Sequence, residues 1–130
     1  MPAVLNKLMT AEEFAAQPQS IDGWKEELHR GEVIRTPIAK CLHGGVQATI
    51  GSLLLGAVRL HKLGWVTISS GVVIERNPDS VFAPDVAFTR IGRLQELLDE
   101  YPEIPPDLVV EVLSRRTIGG STFARRSRTT

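Results

Sequence analysis

The sequence predicts an α/β chain of the mixed α+β kind, with a central mixed β-sheet flanked by helices. Three observations predict it. Apolar residues recur at helical spacing from His43 to Lys62, the period changes to short β-like segments from Trp65 onward, and a continuous apolar run closes the patterned region at Leu108–Leu113.

Taken in order, Thr10-Ala-Glu-Glu13 is a capping box that opens a short helix ending before Pro18. Residues 24–34 read as a first hairpin, with Gly31 where a tight turn falls. In the long helix, Val46, Ile50, Leu53, Leu54, Ala57 and Leu60 form the expected core face, and Gly64 stands at the usual place for a C-terminal stop. Strands follow at Trp65–Ser69 and Val72–Glu75. A turn cluster occupies Asn77–Ser80, and a further strand runs from Asp85 to Phe88. Arg93–Glu100 reads as a short polar helix. Leu108–Leu113 reads as a central strand covered on both faces.

With 130 residues, the patterned part of the chain makes one domain over residues 1–114. No run approaches the roughly 20 apolar residues that cross a bilayer, and the N-terminus lacks a signal-peptide pattern. Cys41 is the single cysteine, so a disulfide framework and a cysteine zinc site are both excluded, and the thiol reads as incidental. Together these features place the chain in the cytoplasm, as an expectation. The net charge of zero hides an asymmetry. Residues 1–114 hold ten basic against fifteen acidic residues, a net −5, while residues 115–130 carry five arginines. That last segment has no amphipathic period and reads as a disordered basic tail. Its one aromatic residue, Phe123, does not make the aromatic interleaving usual of a nucleic-acid surface.

The chemistry concentrates in two carboxylates placed in apolar strands, Asp85 and Glu111. Burying an ionised carboxylate costs several kcal/mol unless a cation or hydrogen bonds compensate it. If the two strands are neighbours, Asp85 and Glu111 lie side by side. Such a pair supplies the one or two carboxylates that Mg2+ takes, leaving positions for water and phosphate. A cation held there favours phosphodiester hydrolysis, because it offsets charge on phosphate and acidifies water. The competing reading is structural: Asp85 satisfies turn amides and Glu111 pairs with an arginine. His29, His43 and His61 have none of the familiar helical zinc spacings, which argues against a zinc hydrolase.

Five motifs in order then resemble a known family. They are Met9–Phe14, Glu27-Leu-His-Arg-Gly-Glu-Val33, His43 at the head of the long helix, Pro84-Asp-Val-Ala87, and Pro106–Ser114. Together they resemble the Uma-two family, a group of restriction-endonuclease-like proteins in the PD-(D/E)XK nuclease superfamily, over residues 8–114. The resemblance implies a restriction-endonuclease-like core and a Mg2+- or Mn2+-dependent endonuclease acting on DNA. It makes Asp85 and Glu111 the metal ligands and Glu27 the acid that completes the site or orients water. It also sets His43 facing the site.

Two departures qualify the likeness. The superfamily's lysine position, two residues after Glu111, is Leu113, and no lysine follows Glu111. The family also continues beyond the Glu-Val-Leu-Ser stretch with a lysine-bearing helix and a strand, so the chain reads as truncated at its C-terminus and impaired in activity. Arg115 or Arg116 offers charge in the lysine's place, but an arginine does not shuttle protons. The alternative function is a non-enzymatic interaction domain that pairs through its sheet edge or long helix. A homodimer is compatible with either reading.

Overall fold

The computed structural model describes residues 7–18 and 23–113. The proposed basic tail, 115–130, lies outside the described residues, as does Ser114. The first helix, α1, is Ala11–Ala15, and the capping box forms as the sequence predicts. Thr10 Oγ1 accepts the Glu13 amide at 3.0 Å, and the Thr10 amide donates to Glu13 Oε1 at 2.9 Å. A hairpin follows, β1 (Trp24–His29) with β2 (Glu32–Pro37), closed by Arg30 and Gly31, both at positive φ. That backbone suits a tight two-residue turn. Gly31 is required twice over, because a Cβ there would stand 2.6 Å from the Cβ of Leu8.

The long helix, α2, spans Cys41–His61 and ends on Lys62 in the left-handed conformation. Lys62, not Gly64, is therefore the helix stop. Gly64 instead opens β3 (Gly64–Ile68), where a Cβ would collide with the carbonyl of Thr89 on the adjacent strand. The core-facing stripe of α2 also differs from expectation. His43, Gln47, Gly51, Leu54 and Val58 turn inward, whereas Leu53 and Leu60 are 72% and 76% exposed. The reason is steric: Gly51 lets the helix approach Ile68, whose Cδ1 would lie 2.8 Å from any Cβ at that position.

The apolar outer face of α2 corrects a second expectation. Its 21 residues have a mean hydropathy of 1.4 in their most apolar window, enough by length and composition to cross a bilayer. No other helix among the described residues passes that test.

The remaining strands are β4 (Val72–Glu75), β5 (Ser80–Phe82), β6 (Val86–Arg90) and β7 (Leu108–Val110). The α/β class holds, but in place of one mixed sheet the described strands form two antiparallel sheets. Their orders are β2-β1-β5-β4 and β3-β6-β7. The chain passes from the first sheet to the second through Ala83-Pro84-Asp85, where proline has no amide to continue a ladder. Strand β5 falls where the turn cluster was expected to end, and it is too short to show a period.

The core of the first sheet is Ala11, Leu28, Val73 and Val81, with Met9, Phe14, Val33 and Tyr101 packed against it. In the second sheet the central strand is β6, where Val86 is fully buried. The apolar run at 108–113 is thus not a central strand. Among the described residues β7 is a half-exposed edge that pairs only with β6. The polar helix expected at Arg93–Glu100 is also absent, replaced by turns. The carbonyl of Leu94, which a helix would need, accepts the indole N–H of Trp65 at 2.7 Å.

Candidate functional site

The antiparallel register of β6 with β7 pairs Val86 with Val110, Ala87 with Val109 and Phe88 with Leu108. Continued by one residue, it sets Asp85 opposite Glu111, so both side chains fall at the same end of the same strand pair. The two residues are tied reciprocally. The Asp85 amide donates to Glu111 Oε1 at 2.8 Å, and the Val112 amide donates to Asp85 Oδ2 at 2.8 Å. Each carboxylate thus closes the ladder where regular strand pairing stops, which is a structural role of the kind the competing reading anticipates. Neither meets an arginine in the described residues.

Three further elements converge on this point. His43, in the first turn of α2, brings Nε2 to 3.3 Å from Asp85 Oδ2. Its Nδ1 is buried with no hydrogen-bond partner among the described residues. One turn later Gln47 donates from Nε2 to the Asp85 carbonyl at 2.7 Å and to Ser69 Oγ at 2.9 Å. That fixes α2, the end of β3 and Asp85 against one another. From β1, Glu27 Oε2 accepts the amide of Ala83 at 2.7 Å, two residues before Asp85.

The sequence reading passed over Gln47 and also Lys25. Lys25 Nζ donates to the Ala83 carbonyl at 2.8 Å and stands 3.9 Å from Glu27 Oε2. A signal for it existed: residues 25 and 27 share one face of a strand by simple alternation.

Electrostatically the site is acidic. Among the described residues, Glu27 and Glu111 lie within reach of the Lys25 ammonium, beside the charge of Asp85. Burial pushes the Glu111 carboxyl above its ordinary range. The Asp85 amide and the Lys25 charge pull it down, and the charges of Asp85 and Glu27 push it up. Asp85, 7% exposed, is held by hydrogen bonds from protein.

The donor set defines what can bind. Oδ1 of Asp85 and Oε2 of Glu111 accept no hydrogen bond among the described residues and remain available as ligands. Two such oxygens, with water and phosphate completing the shell, fit a magnesium-type ion. They do not fit a closed zinc site, and among the described residues no group of three or more His, Cys, Asp or Glu side chains is arranged to hold a metal.

The fold is that of a nuclease-like α/β domain. A crystal structure of a putative nuclease of DUF820 from Anabaena variabilis superposes with a TM-score of 0.66 at 18% identity, covering 92% of this chain. The chain spans 65% of that protein's length. The family described as "Putative restriction endonuclease" (Uma2) matches residues 11–120, and the chain belongs to it. No curated protein matches.

Proposed function

We propose that this domain hydrolyses phosphodiester bonds of DNA with a Mg2+ or Mn2+ ion held between Asp85 and Glu111. The observation that carries this reading is the cross-strand pairing of those two acids at one strand end, with one oxygen of each left available. Family membership and the nuclease-like fold support the reaction class. When bound, the ion supplies charge neutralisation at the phosphate and a more acidic water.

The chain's own residues do the rest. Val112 and Asp85 amides orient the two carboxylates, and Gln47 fixes the backbone of Asp85. Glu27 holds the Ala83 amide and sets the peptide that leads into Asp85. His43 Nε2, 3.3 Å from Asp85 Oδ2, would exchange a proton with a water beside that carboxylate.

The test is calorimetric titration of Mg2+ and Mn2+ into wild type, Asp85→Asn and Glu111→Gln, followed by plasmid cleavage with and without the ion. Loss of binding in both variants is expected. Identical binding in all three removes the site.

A second reading is favoured by the exposed leucines of α2, Leu42, Leu53 and Leu60. An apolar face of this kind suits a partner surface, so a non-enzymatic interaction domain pairing through α2 or the β7 edge is the alternative. It predicts a stable dimer whose melting temperature ignores Mg2+.

A further inference from the structure

We propose that Lys25 is the residue that contacts the substrate's phosphate, supplying from β1 the positive charge expected two residues after Glu111. The inference deepens the nuclease reading and rests on it. The expected position is Leu113, 51% exposed and without charge. Lys25 comes instead from the opposite sheet, two residues before Glu27 on the same strand face. On the other face of β1, Glu26 is engaged by Arg35, whose Nε lies 2.8 Å from Oε2.

Ala83 organises the arrangement. Its carbonyl accepts Lys25 Nζ and its amide donates to Glu27, so ammonium and carboxylate are clamped to one residue, two positions from Asp85. The Lys25 side chain is 30% exposed, anchored yet reachable from solvent. An ammonium carries three protons. One is used on Ala83, and the 3.9 Å gap to Glu27 is too long for a hydrogen bond, which leaves donors for an incoming oxygen anion.

Charge points the same way. Three carboxylates and one lysine leave the ionised cluster at −2, which a divalent cation brings to neutrality. Without Lys25 the loaded site would stay negative and repel a phosphodiester.

The experiment measures binding of a short, fluorescently labelled DNA duplex by anisotropy in Ca2+ across a salt series. The proteins are wild type, Lys25→Gln, Lys25→Arg and Lys7→Met as a surface-charge control. Glutamine removes the charge while keeping an N–H donor on a side chain one bond shorter, and arginine keeps the charge should the glutamine variant fold poorly. Lys25→Gln is expected to bind roughly fivefold more weakly, with a log–log salt slope shallower by about 0.9, the signature of one lost phosphate contact. Lys25→Arg and Lys7→Met are expected near wild type. Unchanged affinity and slope in Lys25→Gln overturns the proposal, as does an equal loss in Lys7→Met. The Mg2+-induced rise in melting temperature is read on the same samples. It survives in Lys25→Gln if only the Lys25 assignment fails, and is missing from wild type if the nuclease reading itself fails.

Discussion

Glu111 Oε1 accepts the backbone amide of Asp85 at 2.8 Å, and through Val112 the second acid is held in return. The two acids therefore hold the β6–β7 junction together before any ligand arrives. Truncating Glu111 to alanine frees a partly buried amide, and is expected to cost about 1 kcal/mol in urea unfolding. Glutamine at 111 retains the acceptor and is expected to escape that loss. If the alanine variant were as stable as glutamine, the bond would contribute nothing.

Glu111 also gives the site a pH signature. Its carboxyl titrates above the ordinary value of 4.5, chiefly because burial disfavours the charge. The folded state thus binds a proton that the unfolded chain has released. Stability from this group is fully present below pH 4.5 and is lost as pH rises through the folded value. Melting curves of Glu111→Gln and wild type should coincide near pH 4, with the variant melting higher at pH 7. Mg2+ should narrow that gap at pH 7 by stabilising wild type alone. A gap that widened toward low pH would reverse the assignment.

A separate charge cluster holds α1 to the first sheet. Arg76 reaches Glu12, Asp79 and Glu103 at 2.8–3.1 Å, and buried Asp79 also accepts the Ala11 amide at 2.8 Å. The Ala11 amide, a further amide from Asn77 and the Arg76 guanidinium hold the Asp79 carboxyl below its usual range. Its contribution is present above the unfolded value near 3.8 and is lost as pH falls through the folded one. Arg76→Met leaves Asp79 without its cation and is expected to lower the urea midpoint at neutral pH, and less in acid. Urea unfolding at pH 7 and pH 3 checks the direction and its pH dependence.

Much of this was legible in the letters. The capping box at Thr10 and the turn at Gly31 follow from local rules, namely cap chemistry and turn geometry, whereas the opposition of Asp85 to Glu111 follows from alternation only once their strands are neighbours. What was missed depends on contacts between distant segments. Period alone does not reveal that Gly51 would let α2 approach Ile68, so the stripe led by Leu53 was chosen over the one led by Gln47. The helix expected at Arg93–Glu100 does not form, and its Leu94 carbonyl meets the Trp65 indole, 29 residues away in sequence. Lys25 shares a strand face with Glu27 by alternation alone, a relation that needs no long-range information. The split into two sheets falls at Pro84, whose missing amide interrupts a ladder.

Gln47 gives the last test, because it couples the helix to the site without carrying charge. Its amide nitrogen donates to the Asp85 carbonyl and to Ser69 Oγ, and Ser69, at φ +48°, returns its own amide to the Pro84 carbonyl at 3.0 Å. The backbone on both sides of Asp85 is thereby fixed by groups outside its own strand. Replacing Gln47 with glutamate turns the donor into an acceptor facing a carbonyl, and is expected to cost about 1–3 kcal/mol. Replacement with alanine removes the bonds without the repulsion and should cost about 1 kcal/mol. Both changes should also shrink the Mg2+-induced rise in melting temperature, since Asp85 loses its backbone anchor while keeping its carboxylate. If stability fell but the Mg2+ response stayed at its wild-type size, Gln47 would serve packing alone, and Asp85 would be positioned by the Val112 amide without help from α2.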